Sequence, residues 1–240
     1  MSNSFPRPYA APLKTQADIV FCLDATGSME HCLSGVLNGM DAFARDLASI
    51  CRVDARFRLI AFRDYHSPDC RTPWNVHEFT TAEEFSRQLR AVKAGGGGDE
   101  PESVFDAMYM ALKSDWRPNR THKSVIVMTD ADTHPNLHER TSNLPANGLS
   151  QIIQLIQETR HLLLFMVAPK FPAYAAIERA ANEAFDANRK IMMNWVPRSS
   201  EGNRGLQLLN FQPLMEMISG LVSATSVDIA LQFEDEDLLL

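Results

Sequence analysis

The sequence predicts an α/β fold, a doubly wound and mostly parallel sheet with helices on both faces. Three continuous apolar runs predict it first: Ile19 to Leu23, Val125 to Met128 and Leu162 to Val167 each suit a strand buried on both sides. Between them, apolar residues recur at steps of three and four, as crossover helices require. The first two runs also end abruptly in polar turns that begin with or contain an aspartate, Asp24 and Asp130. Right-handed crossovers place both turns on the carboxyl edge of the sheet, where open α/β sheets bind their ligands.

The elements follow in order. Residues 1–16, with three prolines, read as an extended N-terminal arm, residues 17–225 as one domain and 226–240 as an acidic C-terminal tail. After the first strand, Met29, Leu33, Val36, Leu37, Met40, Phe43, Leu47 and Ile50 mark a long amphipathic helix. Arg56 to Phe62 reads as a strand and His77 to Thr80 as a short edge strand. Thr81 opens a helix through Leu89, with Glu84 completing a capping box. The glycine run Gly95 to Gly98 interrupts the pattern, and Pro101 suits the first turn of the next helix. Beyond the second buried strand come a helix over 149–159, the third buried strand, a helix over 173–185, an edge strand over 191–196 and a last helix over 206–222.

Composition narrows the function. At 240 residues, 45% hydrophobic and 22% charged, the chain can bury a full core without disulfide or metal support. A formal net charge of -7 argues against a nucleic-acid backbone or an anionic membrane as partner. The cysteines Cys22, Cys32, Cys51 and Cys70 include no CxxC pair, and the N-terminus lacks the apolar stretch of a signal peptide. A reduced, cytoplasmic protein is expected.

In Asp24-Ala25-Thr26-Gly27-Ser28, alternate residues of a tight turn can converge, presenting one carboxylate and two hydroxyls. Hard oxygen donors suit Mg²⁺, Mn²⁺ or Ca²⁺. Such a turn before a helix is commonly no more than an N-cap. Asp130 adds a second carboxylate after a second buried strand, and two facing carboxylates repel unless a cation lies between them.

Together the DATGSM turn, the GGGGDEPES loop and the VIVMTDAD strand end resemble the von Willebrand factor type A domain, over roughly residues 17 to 222. AFRDYH at 61–66 and the glycine run are most similar to the branch shared by hemicentins, α-kinase-linked proteins and bacterial stand-alone members. The resemblance implies a Rossmann-like fold bearing a metal-ion-dependent adhesion site, with Asp24, Thr26, Ser28 and Asp130 as metal residues. The family's middle loop supplies a threonine; none stands between Gly98 and Ser103 here, so that ligand falls to Asp99, Glu102 or Ser103, with Asp99 favoured because it follows the glycine run. By the same resemblance the ion is Mg²⁺ (or Mn²⁺), and the partner is another protein offering an acidic side chain, within a serine/threonine kinase or phosphatase system or a stress response. The chain is expected to be a binding module and not an enzyme.

Two other functions compete: a structural assembly component that uses the fold without metal, and a metal-dependent phosphoesterase. The second is similar to haloacid dehalogenase-type phosphatases in its Asp after a parallel strand, but Thr26 stands where the general acid is needed. The glycine run lacks the GK[ST] ending of a phosphate loop. His134 and His138 have no matching set for tetrahedral zinc and are expected in solvent. Glu30 and His31 fall in a helical first turn, Asp132 either supports the site or caps a loop, and Arg63 with Asp64 is expected as a local pair. The tail, ending in three leucines, is either a solvated end or a motif that docks on a partner or a neighbouring copy.

Overall fold

A computed structural model describes residues 15–50, 53–67, 74–97, 100–118, 121–142, 147–184, 189–198 and 205–237, with backbone alone over 181–184 and 226–237. The strands are β1 (Thr15–Asp24), β2 (Val53–Phe62), β3 (Asn75–Val76), β4 (Thr121–Met128), β5 (Leu162–Pro169) and β6 (Arg189–Val196). The helices are α1 (Glu30–Ser49), α2 (Ala82–Ala91), α3 (Val104–Leu112), α4 (Gly148–Glu158), α5 (Pro172–Ala184) and α6 (Phe211–Asp237), with 3₁₀ turns at Gly27–Met29 and Gly205–Leu208.

The sheet order is β3-β2-β1-β4-β5-β6. All neighbours are parallel except β3, which pairs antiparallel with β2 at one edge. From β1 the chain first moves to β2 on one side and later returns to β4 on the other. The order therefore reverses between β1 and β4, whose carboxyl ends lie level, with Leu23 paired to Met128.

The doubly buried runs explain the two cores. On one face, Ile19, Phe21 and Leu23 pack with α1, α2 and α6, and the Phe21 ring meets Phe43 edge-on at 5.4 Å. On the other, Val20 and Cys22 pack with Phe105, Met108, Ile152 and Tyr174. Burying each such aromatic or aliphatic side chain contributes about 1.5–3 kcal/mol. α1 and α6 approach closely because Gly39 lacks a Cβ: one would lie 3.1 Å from Met215 Cγ and 3.3 Å from Phe211 Cβ. At the amino edge, wholly buried Asp18 accepts from Arg56 Nε and Nη2 and from Arg117 N and Nε at 2.7–2.9 Å.

The elements follow the expected order, with four corrections. Strand β1 starts at Thr15, so the first two residues of this strand belong to the sheet and not to an arm. The edge strand is Asn75–Val76, ahead of 77–80, while Thr80 makes a single bridge to Phe57. Pro101 precedes α3 and does not open it. Glu102 pairs with the loop after β4, its N–H donating to Asp132 O and its carbonyl accepting from His134 N, so the backbone stays extended until Ser103. The last helix begins at Phe211 and continues to Asp237, so the backbone at 226–237, expected as a tail, is helical. No glycine or proline follows Gly220 to stop it. Cys22 and Cys32 are buried free thiols, and no described helix is long and apolar enough to cross a membrane. Cys51, Cys70, Phe185, residues 1–14 and the three terminal leucines lie outside the described residues.

Candidate metal centre

Asp24 is the last residue of β1, and the turn after it is held by its neighbours. Ala25 N–H donates to Phe62 O, Gly95 N–H to Ala25 O and Gly27 N–H to Gly96 O, at 2.9–3.0 Å. The glycine run is thereby laid against the first loop. Gly96 and Gly97 have φ of +72° and +79°, where a side chain is strained. A Cβ on Gly97 would sit 2.7 Å from Glu102 Oε1 and 3.1 Å from Thr26. Arg63, almost wholly buried, fixes the run from behind by donating to Gly95 O at 2.7 Å and Lys93 O at 2.6 Å.

The turn brings its polar side chains together. Asp24 Oδ1 accepts from Thr26 N–H at 2.9 Å and Thr26 Oγ1 at 2.6 Å. Thr26 Oγ1 and Ser28 Oγ are 3.1 Å apart, and Ser28 Oγ donates to Asp130 Oδ1 at 2.9 Å. Thr129 Oγ1 closes the group by donating to Asp24 Oδ2 at 2.7 Å while accepting from Ala131 N–H. The arrangement joins the ends of β1 and β4. Asp24, Thr26 and Asp130 are buried, and Ser28 is exposed.

Negative charge at this spot is poorly compensated. Burial, with Asp130 adding to it against the Thr26 and Thr129 hydrogen bonds, pushes the Asp24 carboxyl up to about 6. Glu102 is raised to about 9, by burial first and then by Asp24, Asp64, Asp130 and Glu100. Its Oε2 has no hydrogen-bond partner among the described residues. The Tyr174 phenol, whose hydroxyl donates to Ala131 O at 2.9 Å, is pushed up by burial and by Asp132, Asp24, Glu100 and Glu102. Crowded carboxylates with hydroxyl oxygens between them suit a small divalent cation and not zinc. Among the described residues, no group of three or more His, Cys, Asp or Glu side chains is gathered for a metal.

Of the other residues singled out in the sequence, Asp99 lies outside the described residues. The Ser103 hydroxyl is held by the loop after β2, accepting from Tyr65 N–H at 2.9 Å and donating to Asp64 Oδ1 at 3.2 Å. Among the described hydrogen bonds and ion pairs, none joins Arg63 to Asp64. Asp64 instead accepts from His66 N–H and contacts His134 Nε2, both at 2.9 Å. His134 is therefore tied into the loops and not left in solvent. Asp132 caps its own loop by accepting from Thr133 N–H at 2.8 Å. Sequence reasoning missed Thr129, although a hydroxyl directly after a buried strand and before an aspartate was a signal.

Over residues 18–192 the chain matches the von Willebrand factor A domain, and it belongs to that family. Such domains are in general non-enzymatic protein-interaction modules, and membership supports a protein-interaction module here. It is 31% identical to α-protein kinase vwkA of Dictyostelium discoideum over 137 residues, 55% of this chain and 22% of that protein. It is also 31% identical to hemicentin-2 of Mus musculus over 114 residues, 47% of this chain and 2% of that one. The chain thus spans a small part of either relative, and the kinase name is that relative's own. BatB of Bacteroides thetaiotaomicron shares the fold with a TM-score of 0.56 at 11% identity, over 88% of this chain and 98% of BatB.

Proposed function

We propose that this chain is a divalent-metal-dependent protein-binding module. Asp24, Thr26, Ser28 and Asp130 would hold Mg²⁺ or Mn²⁺ directly or through water, with a middle-loop carboxylate from Asp99 or Glu102. The ion would supply a local positive centre on a chain of net charge -7, with an open position for an acidic side chain of another protein. One observation carries this reading: the Ser28 Oγ to Asp130 Oδ1 contact, 2.9 Å across the point where the sheet order reverses, beside a buried Glu102 oxygen without a partner among the described residues. The chain's own residues prepare the place, since Thr129 and Thr26 orient Asp24 and Arg63 holds the glycine run against the turn. A cytoplasmic partner from a kinase, phosphatase or stress-response system is the finer form of this proposal; the likeness to vwkA supports it.

Mg²⁺ or Mn²⁺ at millimolar concentration should raise the unfolding temperature by linkage, while an Asp24→Ala, Ser28→Ala double variant should stay folded without that rise. Capture of protein partners on the immobilised chain should be lost on chelation. A wild type whose unfolding temperature ignores both metals would end the proposal.

A further inference from the structure

The opposite end of the sheet carries a second feature. A pocket of about 450 Å³ opens at the amino edge, between the loop after α3, the start of β4 and the end of α4. Trp116, Arg117, Lys123, Glu158, Arg160 and His161 line it. Asp130, two residues past the end of β4, lies seven positions beyond Lys123, roughly 23 Å along an extended chain, so this pocket is separate from the candidate metal centre.

Its charges are unevenly matched. Arg117 is committed elsewhere, donating to Asp18 Oδ1 and Asp54 Oδ2 at 2.7 Å, and Arg56 closes on Asp18 as well. Those two arginines and two aspartates form a neutral group. Glu158 accepts from Gln154 Nε2 at 2.8 Å, one turn back along α4. Lys123 is half-buried, and its ammonium donates to the Arg160 carbonyl at 3.1 Å. Burial pushes the Lys123 amine below its ordinary range; Asp18 opposes the shift and the Arg160 guanidinium adds to it. Among the described residues neither Lys123 nor Arg160 has a carboxylate partner at ion-pair distance. A lysine and an arginine therefore share one concave, partly desolvated place with a single carboxylate, Glu158, which leaves an excess of positive charge there in a chain that is acidic overall.

We infer that this pocket binds a phosphate monoester, whose dianionic oxygens bridge Lys123 and Arg160 while Trp116 walls the group that carries the phosphate. Two cations with several donors match an oxyanion of two charges better than a single carboxylate. The ligand is either a small phosphorylated metabolite or a phosphoserine on a protein segment, since the two present the same group.

Isothermal titration of the full chain with O-phosphoserine, and with a short peptide containing phosphoserine, tests this in chelator and at constant ionic strength. Chelator keeps the result independent of the metal proposal. Saturable binding with a dissociation constant on the order of millimolar or tighter is expected. Arg160 is exposed, so Arg160→Gln and Arg160→Glu should fold; the first should weaken binding about tenfold and the second abolish it. Tighter binding of the peptide identifies a phosphorylated protein segment as the source, and equal binding identifies a small molecule. No saturable heat from wild type, or an unchanged constant in a folded Arg160→Glu chain, overturns the inference.

Discussion

Replacing Asp18 with Asn should destabilise the fold without touching the candidate metal centre. Asp18 is fully buried and accepts four hydrogen bonds, two from Arg56 and two from Arg117. Asparagine keeps the shape, but it removes the charge and turns an NH₂ toward guanidinium donors. Breaking one side of a buried pair costs about 3–5 kcal/mol. Two facts place this case at the low end. The arginine side chains are 27% and 19% exposed, so water recovers part of the loss, and Arg117 keeps Asp54 Oδ2 at 2.7 Å and Asp54 O at 2.8 Å. The expected loss is about 3 kcal/mol, or roughly 6–12 °C in unfolding temperature for a domain of this size. Urea denaturation should show a lower midpoint with the slope unchanged. The metal response should survive, because Asp24 lies six residues further along β1, about 20 Å away. A loss below about 1 kcal/mol would refute the claim that this ion cluster holds the amino edge of the sheet.

Two further outcomes follow from single residues. His122 is buried in β4 with Nε2 against Ser124 Oγ at 3.0 Å and no partner for Nδ1 among the described residues, and burial lowers it from 6.5 to about 3. The unfolded chain therefore takes up a proton near pH 6.5 that the folded chain refuses until about 3, so stability falls as pH drops through that window. The fall should reach about 2 kcal/mol by pH 5, and His122→Gln should flatten that slope in urea titrations at pH 7, 6 and 5. Gly97→Ala places a Cβ at a φ of +79° and 2.7 Å from Glu102 Oε1. It should cost about 1–2 kcal/mol by thermal unfolding and blunt the response to Mg²⁺, whereas the same change at Gly220, where a Cβ meets nothing within 4 Å, should do neither.

How much of this was legible depended on which force each stretch obeys. The runs at Ile19, Val125 and Leu162 are buried on both sides, so hydrophobicity alone marks β1, β4 and β5. Their true ends were hidden, because β1 begins at Thr15 and passes through Asp18, a charge that pattern reading takes for solvent and that two arginines from distant segments neutralise. The bridge that Glu102 makes ahead of α3 was equally invisible. It depends on hydrogen bonds to 132 and 134, some thirty residues away, and local propensity carries no trace of them.

The candidate site divides in the same way. Asp24, Thr26 and Ser28 could be grouped from spacing because a single turn brings them together, and Asp130 because a second buried strand ends beside the first. Arg63 and Asp64 were wrongly paired. Just past the end of β2 the two side chains have different partners: Arg63 reaches the glycine run while Asp64 meets His134 and Ser103. That split accounts for the middle loop as well. With Ser103 held by Asp64 and Tyr65, and Arg63 drawing the glycines against Thr26, Glu102 is left buried among Asp24, Asp64, Asp130 and Glu100. A carboxylate in that position is unfavourable in the chain alone, and under the proposed function the same crowding would favour a divalent cation there.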